Sequence, residues 1–173
     1  NHPDHFITAL ISRLFDDGVT SRLQKTLREE KGLVYSVECR ATSLPDIGTV
    51  DFDVSVRSEK VVEVVEILLS EIKTFISNGV NKEELDLVKQ RYGYDLDYEL
   101  DDPYKQIVRY GFCHLYSSEY TAEDERKKIF QIMKNDILRV AREIFIPEKL
   151  NFILVGPYTS KLKSTLEGLV RDF

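Results

Sequence analysis

The chain has 173 residues, of which 42% are hydrophobic, and its 24 basic and 30 acidic residues give a net charge of −6. This length allows one sizeable hydrophobic core, and the intermixed charges form no basic patch of the kind that binds nucleic acid or an anionic membrane. No apolar run reaches the roughly 18 residues that a transmembrane helix needs. Cys39 and Cys113 follow no metal or redox spacing and are expected to be buried free thiols.

The first third of the chain predicts two helices followed by a β-hairpin. Apolar residues recur at helical spacing over residues 4–15, and Thr20 or Ser21 is expected to cap a second helix that ends near Glu30. Apolar and polar residues then alternate with a period of two in two segments, residues 33–41 and 50–57. Residues 45–48 are typical of a turn, so the two segments are predicted to pair as antiparallel strands.

The part of the chain that follows the hairpin is predicted to be mostly helical. Ser58 is expected to cap a long helix that ends at Asn78, with an apolar stripe in which Val65 and Leu68 are buried. Further helices are expected to begin at or just after four positions: Asn81, Asp102, Thr121 and Lys134.

The order of the elements favours an α+β fold. Residues 150–157 are typical of a compact buried strand closed by Gly-Pro, and a C-terminal helix is predicted over residues 160–170. The sequence thus predicts a mixed or antiparallel sheet, in which residues 152–155 join the hairpin, with helices packed on one face. Neither a repeat nor a linker interrupts the chain, so residues 1–173 are predicted to form a single domain.

The sequence contains no self-contained catalytic apparatus. Its three histidines, His2, His5 and His114, belong to no H-x-x-E-H motif, in which two imidazoles bind zinc and a carboxylate activates its water. His2 and His5 have the spacing of two metal ligands, but the intervening Pro3 favours polar surface residues near a helix cap. Phosphate-binding loops and the G-x-S-x-G motif are also absent from the sequence. We therefore expect no metal site in this chain.

Residues 27–36, Leu-Arg-Glu-Glu-Lys-Gly-Leu-Val-Tyr-Ser, carry the most informative motif. The expected helix turns through Gly32 into the first strand, which places Arg28 and Tyr35 on either side of one turn. A guanidinium and a phenol can both donate hydrogen bonds to a peptide carbonyl whose oxygen becomes negative during hydrolysis. From these two residues alone, an arginine in a surface ion pair and a tyrosine stacked on its own strand are the simpler interpretation.

Together with residues 17–23, Asp-Gly-Val-Thr-Ser-Arg-Leu, this motif resembles the signature of the C-terminal half-domain of insulinase/pitrilysin-family zinc metallopeptidases. The likeness is to short bacterial members related to mitochondrial processing peptidase. It extends over nearly the whole chain through four further segments: residues 31–33, 46–48, 78–85 and 155–157. The resemblance implies a metallopeptidase half-domain of the processing-peptidase type, in a parent protein that performs proteolysis.

The resemblance also implies roles for five residues. Arg28 and Tyr35 would assist catalysis at a zinc site in another domain, and Gly18, Ser21 and Arg22 would contact the substrate more weakly. No cofactor is expected in this chain, because a complementary domain with the H-x-x-E-H motif would bind the zinc. That domain would belong to the same polypeptide or to a second chain, which allows a dimer, and the two halves would enclose short peptides.

This chain departs from the family in two respects. Family members often have three or four glycines where residues 15–19 contain Gly18 alone, which leaves substrate or dimer contacts in doubt there. In the family a strand precedes the first helix, and here it would lie upstream of Asn1. The chain is therefore expected to be a fragment, the zinc-free C-terminal domain of a longer protein.

Alternatives to an active zinc metalloendopeptidase stay open at this point. The parent protein could be a structural relative without peptidase activity, like the core proteins of respiratory complexes, or a peptide-binding module. Retention of both Arg28 and Tyr35 favours the enzyme, since a scaffold has no use for a pair that binds a scissile carbonyl. Six tyrosines form a tyrosine-rich tract: Tyr92, Tyr94, Tyr98, Tyr104, Tyr110 and Tyr116. Packing within helices is the default interpretation of this tract, and a peptide-binding surface is the alternative.

Overall fold

The computed structural model describes residues 2–44, 46–116 and 120–173 of the chain. These residues form, in order, α1 (His5–Phe15), a π-helix (Gln24–Glu30), β1 (Val34–Ser43), β2 (Gly48–Val56), α2 (Val61–Asn78), α3 (Lys82–Leu100), α4 (Pro103–Leu115), α5 (Ala122–Gln131), α6 (Lys134–Ile144) and α7 (Ser160–Arg171). Single 3₁₀ turns occupy Ser58–Lys60 and Pro147–Lys149. Within the described residues, no helix is long and apolar enough to cross a membrane.

The predicted hairpin is confirmed, and it forms a two-stranded antiparallel sheet. β1 and β2 pair over most of their length, as far as Ser43 opposite Gly48. Val37 and Cys39 of β1 are buried on the face that packs against the helices, while the residues between them are more exposed. Pro45 of the predicted turn lies outside the described residues. Helices on one face of an antiparallel sheet confirm the predicted α+β class.

The helices meet the sheet around Phe15, the last residue of α1. Its ring is fully buried and lies edge-on to Phe52 of β2, Phe75 of α2 and Phe145 after α6. The ring centroids are 5.2, 4.9 and 5.9 Å apart, respectively. Edge-to-face aromatic pairs contribute about 0.5–1.5 kcal/mol each beyond the burial of their area. One side chain therefore joins four parts of the core.

The apolar stripe of α2 is confirmed, but it faces two clusters rather than one. One row packs in the main core with α1 and the hairpin: Val64, Ile72 and Phe75. A second row packs against Leu166 of α7: Val61, Val65 and Leu69. Val65 is buried as predicted, whereas Leu68 is only half-buried because it borders an open cavity beside β2.

The prediction of a strand at residues 150–157 is wrong. Within the described residues this segment has no regular structure and joins no sheet. Leu150 and Leu154 pack on the cluster between α2 and α7. Ile153 and Val155 are instead 84% and 93% exposed. A strand needs a neighbour for its backbone hydrogen bonds, and the described residues place none beside this segment. Its side chains therefore alternate as in a strand while its backbone stays unpaired.

Three of the predicted helix starts carry a side-chain cap. Asp102 and Thr121 accept hydrogen bonds from first-turn amides of α4 and α5. Asn81 accepts a hydrogen bond from the Glu84 amide at 2.8 Å, as expected at the start of α3. The reciprocal arm of a capping box is absent there, because the Glu84 carboxylate binds Arg22 instead.

The cap predicted at Ser58 is wrong, whereas Ser21 directly precedes the first helical residue, Arg22, but does not cap that helix through its side chain. The 3₁₀ turn Ser58–Lys60 separates Ser58 from α2, whose first turn has no side-chain cap. The Ser21 hydroxyl donates backward to the Gly18 carbonyl oxygen at 2.7 Å. It therefore closes the loop before the helix rather than accepting a hydrogen bond from a helical amide.

We expect Phe15→Ala to lower the free energy of unfolding by about 3–5 kcal/mol, the usual cost of deleting a fully buried aromatic ring. Phe130→Ala is the matched control, because this ring of α5 is 50% exposed and its loss should cost only about 1 kcal/mol. Urea unfolding followed by circular dichroism would measure both variants. Equal losses would contradict the central position of Phe15.

Candidate functional site

Tyr35 lies in a β-bulge at the start of β1, and its side chain is 88% exposed. Val34 pairs with Val56 and Ser36 with Ser55, so Tyr35 is an extra residue without a partner on β2. A bulge bends its strand and re-aims the side chain, and bulges are frequent beside active sites for that reason. Here the bulge keeps Val34 buried while Tyr35 faces away from the core.

Arg28 lies in the π-helix Gln24–Glu30, which we call the Arg28 helix, and it is exposed. Leu27 beside it is fully buried and anchors this helix to the core. In the described residues, the ion pairs of this region join Arg22 to Glu84 and Lys25 to Glu30, and they leave Arg28 out. The surface ion pair considered from the sequence is therefore not formed here. π-Helical turns inside helices are frequently found at functional sites.

Gly32 makes the turn between Arg28 and Tyr35. Its φ of +58° lies in the left-handed region that favours glycine. The Gly32 amide donates to the Arg28 carbonyl oxygen at 3.0 Å, and the Leu33 amide donates to the Leu27 carbonyl oxygen at 2.9 Å. These bonds satisfy carbonyls at the end of the helix, so the connection between the two candidate residues has a fixed backbone.

Arg28 and Tyr35 lie outside two cavities that the described residues form. An open cavity of about 2820 Å³ lies between β2, α2, α4 and residues 151–157, and a groove of about 390 Å³ lies beside Arg22. The lining of both excludes Arg28 and Tyr35. A peptide held at this pair would therefore need a second wall from another domain or chain.

Gly18, Ser21 and Arg22, the weaker candidates, make contacts within the domain. Gly18 has a φ of +82° and accepts the hydrogen bond from Ser21 described above. Arg22 donates from Nε and Nη2 to the two carboxylate oxygens of Glu84, at 2.6 and 2.8 Å. The guanidinium of Arg22 is thus engaged inside the fold. A contact of these three residues with substrate stays a prediction.

The described residues contain no group of three or more potential metal ligands, counting His, Cys, Asp and Glu. His2 Nδ1 accepts a hydrogen bond from the Asp4 amide at 3.2 Å, and His5 Nδ1 lies 3.0 Å from Ser43 Oγ. The two histidines bind different polar partners instead of converging on one point. This set of donors does not fit a zinc ion, which needs at least three protein ligands.

The cysteines differ in burial. Cys39 is buried as expected, and burial raises the pKa of its thiol, which keeps it protonated and unreactive. Cys113 is only half-buried. Both are free thiols.

A buried polar network between α3, α4 and α5 was not predicted from the sequence. Glu125 is buried and accepts hydrogen bonds from Tyr92 Oη and Arg109 Nη1, both at 2.5 Å. Arg109 also donates to Glu99 at 3.1 Å. Burial and the adjacent Glu125 raise the pKa of Tyr92, so its phenol remains a donor. Because α4 has no fully buried residue and these bonds join it to α3 and α5, we interpret the network as structural.

The tyrosine-rich tract divides into two groups. Tyr92 is half-buried in the network just described. The other five are exposed: Tyr94, Tyr98, Tyr104, Tyr110 and Tyr116. The packing interpretation therefore holds for Tyr92, and a peptide-binding surface stays an untested alternative for the rest.

Comparison with known proteins places residues 1–92 in the family model described as the peptidase M16 inactive domain. An uncharacterized zinc protease of Mycobacterium tuberculosis is 24% identical to the chain over 145 residues, which cover 83% of this chain and 33% of the relative. The chain thus spans about a third of the length of the curated relatives it matches.

Solved structures share the fold. The peptidase M16 inactive domain from Pseudomonas fluorescens superposes with a TM-score of 0.71 at 19% identity, covering 82% of this chain and 34% of that one. A chain of Complex III2 from Candida albicans superposes with a TM-score of 0.72 at 16% identity, covering 83% and 36%. At these identities the likeness shows the fold alone.

Because no ligand set converges, we expect the chain, expressed without an affinity tag, to carry less than about 0.1 zinc per molecule after gel filtration. Chelation should leave its Tm unchanged for the same reason. Inductively coupled plasma mass spectrometry and a thermal melt with and without chelator would measure these two quantities. One zinc per molecule, removed together with stability by the chelator, would contradict the prediction.

Proposed function

Because the chain belongs to the peptidase M16 family, as an inactive C-terminal domain of zinc proteases, we propose that it closes the catalytic chamber of a zinc metalloendopeptidase. In this proposal Arg28 and Tyr35 bind the carbonyl of the scissile peptide. The supporting observation is that a guanidinium without an ion pair among the described residues and an 88% exposed phenol lie on either side of one fixed turn. Neither side chain gains stability from burial or from an ion pair within the described residues.

The chemistry of the two groups suits this task. The guanidinium of Arg28 is a permanent cation with several donors, and the phenol of Tyr35 is a neutral donor. Donors already in place stabilise the negative charge that develops on the carbonyl oxygen during hydrolysis, and removing one such donor costs about 10²–10³ in kcat. The bulge at Tyr35 and the hydrogen-bonded turn at Gly32 restrict the backbone that carries both groups before substrate arrives.

The proposal requires a partner that this chain does not contain. The donors among the described residues do not fit zinc, so the metal would belong to a complementary domain with an H-x-x-E-H motif, in the same polypeptide or in a second chain. Relatives about three times as long as this chain support a partner domain in the same polypeptide. A partner in a second chain would make the enzyme a dimer. In both arrangements short peptides would lie between the two halves.

A structural relative without peptidase activity is the second candidate. The occurrence of the fold in a chain of Complex III2 means that architecture alone does not separate a peptidase from a scaffold. Exposure of both candidate donors favours the peptidase, since a scaffold has no use for them.

In the complete enzyme, we expect Tyr35→Phe to lower kcat by about 10²–10³-fold while Tm stays nearly unchanged, because only one exposed hydroxyl donor is removed. Arg28→Ala should raise KM as well, since the lost cation also binds the ground state. Initial rates on a fluorogenic peptide would measure both variants.

Two controls match these variants. Tyr158→Phe removes the hydroxyl of a tyrosine that is 60% exposed just before α7, and Arg171→Ala removes an exposed cation at the end of α7. Both should hydrolyse peptide at the parental rate. If Tyr35→Phe also keeps the parental rate while Arg28→Ala merely destabilises the fold, the pair is structural and the scaffold is the better explanation.

We also propose that this domain is completed by a strand that precedes Asn1 in a longer polypeptide. In the described residues β2 has one unpaired edge, and residues 151–157 have no backbone partner. Both border the same cavity, whose apolar floor includes Val65 and Leu68 of α2. His2 borders it too, so a segment that precedes His2 would enter this space. An unpaired strand edge beside exposed apolar residues is a template for a further strand.

The position of α1 sets the direction of that strand. β1 runs toward Ser43, and the His5 ring lies 3.0 Å from the Ser43 hydroxyl. A strand that ends at His2 would therefore run parallel to β1 and antiparallel to β2. The connection back to β1 through α1 would then be a crossover between parallel strands, which is nearly always right-handed.

We expect extension of the chain by the native residues that precede Asn1 to raise the free energy of unfolding by at least about 2 kcal/mol, because it should bury one or more of the exposed apolar side chains. Amide exchange should slow in β2 and in residues 152–155. Hydrogen exchange measured by mass spectrometry would compare this extended chain with one that carries a Gly-Ser extension of equal length. Equal protection in the two would show that no strand adds at this edge.

A further inference from the structure

One face of α3 contacts both ends of the segment that leads from α1 to the Arg28 helix. Glu84, Val88 and Arg91 succeed one another at helical spacing, so they lie on one side of α3. Val88 is buried between the other two. Glu84 binds one end of the segment, and Arg91 binds the other.

Glu84 and Arg22 form a two-point ion pair at the entry to the Arg28 helix, with the distances given above. Arg22 Nη2 also donates to the Gly79 carbonyl oxygen at 3.1 Å, and the guanidinium lies 4.9 Å from the centroid of the Phe75 ring. The cap at Asn81 fixes the backbone of Glu84 from which the carboxylate extends. A planar guanidinium held by two parallel hydrogen bonds and a ring has little freedom to reorient.

Arg91 binds the loop of residues 16–21 at the other end of the segment. Its Nη1 donates to the Asp17 carbonyl oxygen, and its Nη2 donates to the Thr20 hydroxyl at 3.1 Å. Gly18 lies between these contacts, and a Cβ at Gly18 would stand only 3.2 Å from Nη1 of Arg91. Glycine thus permits the close approach as well as the positive φ. The loop is therefore held against α3.

We propose that Glu84 and Arg91 are positioning residues that hold Arg28 for the peptide carbonyl, an inference that rests on the proposed function of Arg28. Arg28 has no ion pair of its own in the described residues, so its location depends on the helix that carries it. Glu84 restrains the start of that helix through its ion pair with Arg22. Arg91 restrains the loop of residues 16–21, which leads into the helix, through its hydrogen bonds. A catalytic group misplaced by about 1 Å can cost 10²-fold in rate.

The restraint itself is tested in this chain by amide hydrogen exchange. We expect Glu84→Gln and Arg91→Met each to speed exchange of the amides in residues 22–30 by about 10–100-fold, because each variant removes charge-assisted hydrogen bonds that oppose local opening. Amides of α6 should be unaffected and serve as the internal reference. Glu83→Gln is the matched control, since Glu83 is exposed on the same turn of α3.

A double-mutant cycle in the complete enzyme tests whether Glu84 affects catalysis through Arg28. Glu84→Gln alone should lower kcat/KM by about 10–100-fold, and it should cause almost no further loss when Arg28 is already alanine. Arg22→Lys keeps the charge but loses the two parallel hydrogen bonds, so it should recover only a small part of the activity that Arg22→Ala loses. A purely stabilising ion pair would instead give losses that multiply in the double variant.

The outcomes separate this inference from the proposed function. Unchanged exchange of residues 22–30 in both α3 variants would overturn the restraint. Faster exchange of residues 22–30, together with losses of kcat/KM that multiply in the double variant, would show that the restraint does not act through Arg28. The third outcome combines two results: the Arg28→Ala enzyme works at the parental rate, and the amides of residues 22–30 still exchange faster in the Glu84→Gln variant. This outcome would reject the function proposed for Arg28 and leave the restraint as a structural feature only.

Discussion

The burial of Phe15 at the end of α1 is the constraint on which the rest of the structure depends. Its ring joins α1 to β2, α2 and the segment after α6, so α1 has to end at this point. Asp16, the next residue, accepts hydrogen bonds from the Cys39 amide at 3.1 Å and from Gln24 Nε2 at 3.0 Å. The chain therefore leaves the core at a place and in a direction that the core itself determines. The positions of the Arg28 helix and of β1 follow from this path of the chain.

Most arginines of the described residues have partners within the domain, whereas Arg28, Arg57 and Arg171 take part in no ion pair or side-chain hydrogen bond there. Arg22 binds Glu84, Arg91 binds the loop of residues 16–21, and Arg109 binds Glu125. Each joins elements that are distant in the sequence, which explains why a guanidinium with several donors is useful at these positions. Arg28 lies among them on a well-anchored helix but has no ion pair in the described residues. Arg28 differs from Arg57 and Arg171 because it lies beside the fixed turn at Gly32 that leads to Tyr35, and this position supports a role in binding something outside the domain.

The sequence predicted best those features that depend on nearby residues. The hairpin and the caps at Asn81, Asp102 and Thr121 follow from local patterns and were confirmed. The strand at residues 150–157 failed because pairing depends on a neighbour that local patterning cannot reveal. The bulge at Tyr35 could not be foreseen, since the alternating pattern places Tyr35 on the same face as Val37 and Cys39. For the candidate site, sequence reasoning could name Arg28, Tyr35 and Arg22, but the partner of Arg22 lies 62 residues away.

In the proposed enzyme, one domain binds the metal and the other supplies the two hydrogen-bond donors to the substrate carbonyl. Each domain therefore contains only half of the site. Arg28 and Tyr35 are exposed and lie outside the two cavities described above, so in that enzyme they would hold no substrate until a second surface covered them. Hydrolysis would then require closure of the two halves around a peptide. A folded protein would prevent that closure by its size, while a short unfolded segment would permit it. The division of the chemistry between two domains would by itself select short peptides, before any side chain of the substrate is recognised.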